Sequence, residues 1–200
     1  NFNACSASFE VHGVNIHPGD AKDKMVNASL VAMEINQMLP SCDTPAHTEM
    51  YEGFFHLTSM EGNVEKAKLH YIVRDHDRES FQVRKKLLRF IEKTINEKYG
   101  KGTAVLQIQD EYENMEEKIK PCLHLIDNAK DAMRELGIEP DVSPVRGGTD
   151  GARLSFMGLP CPNLGTGGYA FHGPYEHITA EGMDTVVEIV LGIIRRYAKA

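Results

Sequence analysis

The sequence lacks any cluster of lysine and arginine residues, and this absence excludes one class of partner. It contains 22 basic and 29 acidic residues, which give a formal net charge of -7. Proteins that bind nucleic acids concentrate basic side chains on one surface, where they neutralise phosphates. We therefore expect no nucleic-acid partner.

Long apolar runs are also missing. No stretch approaches the ~20 apolar residues of a membrane-spanning helix, and no signal peptide is visible. The 200 residues are 42% hydrophobic and 26% charged, which is typical of a soluble globular protein of one large or two small domains. We expect no membrane partner. Because the chain opens on Asn1 rather than methionine, we also expect it to be a piece of a longer protein.

Cysteine is scarce, and its spacing fits no known framework. The four cysteines lie far apart and form no CxxC pair; they are Cys5, Cys42, Cys122 and Cys161. This spacing suits neither a zinc knuckle nor the disulfide network of a small secreted protein. We therefore predict reduced, buried thiols in a cytoplasmic protein.

The first half of the chain shows the periodicities of a complete small domain. Hydrophobic residues alternate with polar ones from Cys5 to Val11, which predicts a half-buried strand. Further predicted elements are helices at 23–39 and 77–98 and strands at 51–60, 64–75 and 103–110. The order β-α-β-β-α-β favours a ferredoxin-like fold, in which a four-stranded antiparallel sheet carries both helices on one face. In the strand at 64–75, Arg74 falls on the face away from those helices.

The pattern changes after about residue 115. Helices are predicted at 121–136, from Thr149 and at 179–198, with short strands at 141–146 and near 162–164. Arg195, Arg196 and Lys199 suit the C-terminal end of the last helix dipole. This alternation suggests a parallel α/β sheet with too few strands to be complete. We therefore predict an α+β domain over residues 1–114 and part of an α/β domain over residues 115–200.

One glycine-rich segment separates this chain from a generic α/β protein. It runs from Arg146 to Gly173 and reads RGGTDGARLSFMGLPCPNLGTGGYAFHG. Together with NIHPG at 15–19, VNA at 26–28, YEGF at 51–54 and IVRDHD at 72–77, it resembles the peptidase T branch of the dinuclear zinc peptidases. That branch contains tripeptide aminopeptidases and is related to carnosinase and succinyl-diaminopimelate desuccinylase. The resemblance covers essentially the whole chain.

The resemblance implies a fold and an activity. Family members have a catalytic α/β domain with two zinc ions and an inserted βαββαβ lid that forms a homodimer. Residues 1–114 resemble the lid, and residues 115–200 resemble the C-terminal part of the catalytic domain. The implied activity is a zinc-dependent aminopeptidase that releases the N-terminal residue of tripeptides. The N-terminal catalytic motifs are not found here, so we expect this chain alone to be inactive and to hold zinc poorly.

The same resemblance assigns roles to six residues. His172 matches a metal ligand, although a catalytic zinc ion needs three protein ligands. His17 matches the lid histidine that stabilises the oxyanion in the partner subunit's active site. The remaining matches bind the carboxylate of the substrate; they are Arg74, whose guanidinium can bind it bidentately, and Gly147, Gly148 and Thr149 at the start of a helix.

Each of these residues has a plainer alternative from the sequence alone. His17 could be an ordinary surface histidine beside a Pro-Gly turn, and Arg74 could form an edge salt bridge with Asp75 or Asp77. Gly147 to Thr149 could form a simple helix cap. The chain as a whole could be a non-catalytic dimerisation module, or a stand-alone protein that binds free carboxylates.

Overall fold

The computed structural model describes residues 1–198, which form two compact units. The first unit combines Asn1–Asn114 with Pro144–Gly148, and the second combines Met115–Ser143 with the residues from Thr149 onward. Lys199, which was expected to favour the last helix dipole, lies outside the described residues.

A four-stranded antiparallel sheet forms the centre of the first unit. Its strands are β1 (Asn3–His12), β2 (Phe54–Gly62), β3 (Lys66–Asp75) and β4 (Ala104–Tyr112), in the spatial order β2-β3-β1-β4. The helices are α1 (Ala28–Gln37) and α2 (Arg78–Tyr99). This arrangement confirms the predicted βαββαβ order and the ferredoxin-like sheet.

The core lies between the two helices and one face of the sheet. Phe9, Leu69 and Tyr71 on the strands pack with Leu88 and Ile91 of α2, and all five are at most 2% exposed. Both helices begin where the sequence provides a cap: Asn27 accepts from two backbone amides of α1, and Asp77 accepts from the amide of Ser80. The alternating pattern therefore identified the buried face of β1 and β3 correctly.

A β-bulge interrupts the pairing of β1 with β4. Ala4 lies opposite Tyr112, whereas the next residue, Cys5, lies opposite Asp110. Glu111 is therefore the extra residue of the bulged strand. Such bulges redirect side chains locally, and this one lies beside Arg74, which is paired with Ala4 from the other side.

The second unit is mostly helical. It contains α3 (Glu116–Ile119), α4 (His124–Glu135), α5 (Asp150–Phe156), a two-stranded antiparallel pair β5 (Gly168–Tyr169) and β6 (His177–Ile178), and α6 (Ala180–Ala198). The strands predicted at 141–146 and near 162–164 are wrong, because neither segment is paired in the described part of the chain. A strand needs a neighbour to satisfy its backbone groups, and local sequence does not reveal whether one is available.

The apolar face of α6 is largely exposed among the described residues. Its side chains are exposed by a third or more, although Ile189 is buried; they include Met183, Val187, Val190, Leu191 and Ile194. Arg196 of this helix pairs with Glu135 of α4 at 2.6 Å. A continuous apolar face of this kind normally packs against another layer of structure.

The cysteine side chains differ in their exposure. All four thiols are free; Cys5 is buried, as predicted, whereas Cys42 is exposed, contrary to the prediction. Burial raises the pKa of the Cys5 thiol to about 11, so this thiol is neutral and unreactive at physiological pH.

Among residues 1–198, no helix combines the length and apolar character needed to cross a membrane.

Candidate functional site

Arg74 is held in a fixed position at the end of β3. Its Nη1 donates to the carbonyl oxygens of Cys5 and Val73, each at 3.1 Å, and its Nη2 donates to Glu111 Oε2 at 2.9 Å. The Arg74 side chain is 11% exposed, whereas that of Glu111 is 36% exposed. The alternative partners expected from the sequence, Asp75 and Asp77, are not the ones found; the carboxylate on Arg74 belongs to the bulged residue of β4.

An aromatic ring links Arg74 to the glycine-rich segment. The Arg74 guanidinium carbon lies 5.3 Å from the centre of the Tyr112 ring, a cation–π distance. Gly148 touches the same ring so closely that a Cβ at position 148 would overlap it. Burial raises the pKa of the Tyr112 hydroxyl, so the ring is uncharged at neutral pH. The structure therefore places Arg74 and Gly148 in contact with the same ring.

Sequence reasoning assigned no role to Arg146, but the structure gives it one. Arg146 donates to the carbonyl oxygens of Met50 and Glu52, at 2.9 and 2.8 Å, and to Thr48 Oγ1 at 2.9 Å. Its guanidinium also lies 5.2 Å from the ring centre of Phe2. These contacts fasten residues 144–148 to the first unit. The glycine-rich motif that begins at Arg146 was the only sequence signal for this residue, and it did not identify its hydrogen-bond partners.

His17 lies in an exposed loop, and its ring orientation is defined. It caps a short 3-10 helix at Pro18–Asp20, where its Nδ1 accepts from the backbone amide of Gly19 at 3.2 Å. A neutral imidazole whose Nδ1 accepts must carry its proton on Nε2. His17 therefore presents a hydrogen-bond donor to solvent, and 79% of its side chain is exposed.

His17 and Arg74 lie at opposite ends of the sheet. Arg74 pairs with Ala4 near the start of β1, whereas the His17 loop follows His12, the last residue of β1. Eight residues of extended chain separate Ala4 from His12, which corresponds to roughly 27 Å. The His17 loop therefore leaves the sheet at the end opposite to the one that carries Arg74.

Gly147 and Thr149 occupy different environments. The Gly147 carbonyl accepts from the amide of Phe2 at 3.4 Å, within the first unit. Thr149 is the N-cap residue of α5 in the second unit, but its hydroxyl makes no capping bond. Among the described residues, the buried Thr149 Oγ1 has no hydrogen-bond partner. A helix begins after Thr149, as the sequence predicts.

His172 lies in a tight, exposed turn of the second unit. Its φ of 63° is in the left-handed region, which non-glycine residues rarely adopt. The backbone amide of His172 donates to Glu176 Oε2 at 3.0 Å, which holds the turn. The imidazole is not packed into an apolar interior. Such strained positions tend to occur at functional sites.

The residues present do not form a metal site by themselves. Among the described residues, no three His, Cys, Asp or Glu side chains cluster in a way that could hold a metal ion. An exposed imidazole such as His172 can supply one ligand, but a catalytic zinc ion uses three. The adjacent pair Glu116 and Glu117 lies in α3 and belongs to no such cluster.

Comparison with curated proteins identifies close relatives of the whole chain. Peptidase T of Caldanaerobacter subterraneus is 50% identical over 199 residues, covering 100% of this chain and 49% of that protein. Peptidase T of Alkaliphilus oremlandii is 52% identical over 199 residues, with the same coverage of both chains. The chain thus spans about half the length of the curated relatives it matches.

Solved structures share the fold at lower sequence identity. A tripeptidase from Staphylococcus aureus superposes with a TM-score of 0.81 at 20% identity, covering 100% of this chain and 52% of that one. Aminopeptidase PepT from Bacillus cereus gives 0.79 at 20% identity, covering 98% and 52%. The sequence profile of the peptidase dimerisation domain matches residues 1–103, which include the complete βαββα part of the sheet unit. The chain therefore belongs to the peptidase dimerisation domain family.

Proposed function

We propose that this chain is part of a tripeptide aminopeptidase that acts as a homodimer. The observation that carries the proposal is the identity of 50–52% over the whole chain to proteins named peptidase T. Residues 1–114 would be the lid and dimerisation domain, and residues 115–200 the C-terminal part of a catalytic domain. The exposed apolar face of α6 supports a missing layer, because the remainder of a catalytic domain would cover it.

Arg74 would bind the C-terminal carboxylate of the tripeptide. Its two bonds to backbone oxygens and the Tyr112 ring fix the guanidinium before substrate arrives, so little side-chain entropy is lost on binding. Gly147 and Gly148, which belong to the same unit as Arg74, would bring backbone close to the same carboxylate.

His17 would act in the partner subunit's active site. Within its own chain, its loop follows His12, which lies roughly 27 Å along β1 from Ala4, the residue paired with Arg74; a site that uses both side chains would therefore combine two chains. Its outward Nε2 donor suits a developing oxyanion, which preorganised donors stabilise.

His172 would be one ligand of a zinc centre completed by residues of the enzyme outside this chain. Its exposed turn, held by Glu176, suits a ligand that faces a second layer of protein. Two zinc ions would supply an activated water when bound. The free thiols also suit a cytoplasmic enzyme.

The test is hydrolysis of tripeptides by the full-length protein that contains this chain. We expect zinc-dependent release of the N-terminal amino acid, and a loss of at least 100-fold in kcat for His172→Ala. The control is His124→Ala, which removes another exposed imidazole of the second unit. The isolated chain should show no turnover with added zinc.

Other outcomes would favour the alternatives. Dimerisation of the full-length protein without any hydrolysis would support a dimerisation module. Binding of free carboxylates by the isolated chain, lost in Arg74→Met, would support a stand-alone carboxylate-binding protein. Equal activity of the His172→Ala and His124→Ala variants would refute the role of His172.

A further inference from the structure

The Glu111 carboxylate is hydrogen-bonded to the Arg74 guanidinium, which would bind the terminal carboxylate of the substrate. Its Oε2 lies 2.9 Å from Arg74 Nη2, while Arg74 Nη1 is held by two backbone oxygens. We propose that Glu111 is an internal competitor, which occupies Arg74 in the free enzyme and is displaced by the terminal carboxylate of the peptide. This inference rests on the proposed function, because it concerns the same carboxylate site.

The bulge in β4 is what creates this arrangement. In regular pairing, one residue of β4 would lie opposite Ala4; the register shift instead leaves Glu111 unmatched beside Tyr112. Both side chains therefore reach Arg74, the carboxylate through a hydrogen bond and the ring through its face. The Glu111 carboxylate thus occupies the Arg74 guanidinium, the group that would bind the carboxylate of the substrate.

Replacement of the Glu111 carboxylate by that of a peptide should cost little free energy. Glu111 is the exposed partner of the pair, so its carboxylate can turn into water, whereas Arg74 stays fixed by the Cys5 and Val73 carbonyls. One carboxylate replaces another on Arg74 Nη2, so the largely buried guanidinium is never left unpaired, and the Glu111 carboxylate that leaves can be hydrated. A peptide carboxylate can therefore replace Glu111, while a neutral peptide end gains nothing at an arginine that is already paired. The expected consequence is selection for peptides with a free C-terminus.

Steady-state kinetics of the full-length enzyme test the proposal, with a tripeptide and its C-terminal amide as substrates. Glu111→Gln removes the competing charge and should lower KM for the tripeptide about threefold, with kcat and the kinetics of the amide unchanged. Glu111→Asp, which keeps the charge on a shorter side chain, should lower the same KM. The matched control is Glu113→Gln, since Glu113 pairs instead with Arg78 at 3.6 Å and should change none of these values.

The possible outcomes distinguish a failure of this proposal from a failure of the proposed role of Arg74. If the unsubstituted enzyme hydrolyses the tripeptide and its amide equally well, Arg74 does not bind the terminal carboxylate; that role and the Glu111 proposal then both fail, although the tripeptidase activity itself stands. If the enzyme discriminates but Glu111→Gln leaves KM unchanged or raises it, Glu111 is not a competitor and only this proposal is overturned. An equal fall in KM for both substrates, or the same fall in Glu113→Gln, would show a general charge effect and would also overturn it.

Discussion

Arg146 offers the sharpest test of how the glycine-rich segment is held. Arg146→Lys keeps the positive charge but replaces a planar group that bonds three oxygens, on Thr48, Met50 and Glu52. An ammonium group at the end of a flexible chain can reach one of these acceptors in good geometry. Two hydrogen bonds and the stacking on Phe2 are therefore lost.

The magnitude follows from the number of contacts removed. Each hydrogen bond from a charged donor contributes about 1.5 kcal/mol at the low end of the usual range, which applies because these bonds are partly exposed. The lost cation–π contact adds about 0.5 kcal/mol. The total is about 3.5 kcal/mol, or roughly a 300-fold increase in local opening. The loop at residues 44–53 should open together with residues 144–148, because Arg146 is their shared contact.

Hydrogen–deuterium exchange with mass spectrometry measures this opening directly. Peptides that cover the 44–53 loop and residues 144–148 should exchange roughly 300-fold faster in Arg146→Lys, while peptides from the core of α2 should be unaffected. Arg89→Lys is the matched control, because Arg89 lies on the exposed face of α2. If exchange of both segments stays within about threefold of the unsubstituted chain, Arg146 does not fasten this segment.

Two further substitutions test other features of the first unit. Gly148→Ala should destabilise the unit by about 1–3 kcal/mol in urea unfolding, because its methyl group would overlap an aromatic ring; Gly147→Ala, with open space around it, should have no such effect, and equal losses would contradict the steric argument. Hydrogen bonding from Lys98 lowers the pKa of Glu34 below its usual 4.5, so this pair stabilises the fold above that pH and the stability is lost as pH falls through the lowered value. Glu34→Gln should therefore flatten the acid limb of the stability profile, and an unchanged slope below pH 4.5 would exclude the pair as its source.

The sheet unit was predictable because its signals are local and repeated. Alternation from Cys5 to Val11 identified one buried face, and the helix predicted from residue 77 begins at Arg78, capped by Asp77. The order of elements then left one economical antiparallel sheet. Predicted element ends still differed from the observed ones by several residues; the first helix begins at Ala28 rather than residue 23.

Features that depend on distant partners could not be predicted. The position of Glu111 depends on a one-residue register shift between β1 and β4, which no local pattern of the sequence shows. The contacts of Arg146 span more than 90 positions along the chain, and its role had no signal of its own. The strands expected at 141–146 and 162–164 failed for the same reason, because pairing is a property of two segments rather than of one.

The distribution of the candidate residues suggests a division of labour within such an enzyme. Arg74 is fixed by backbone, ring and carboxylate contacts on a rigid sheet, far along β1 from His17. If Arg74 binds the carboxylate end of a tripeptide, as we propose, the binding energy gained there can orient the other end for reaction. The distance from the C-terminal carboxylate to the scissile bond depends on the length of the peptide. A rigidly held Arg74 would therefore select peptides of one length. A flexible lysine at position 74 would bind the same charge but would lose this discrimination by length.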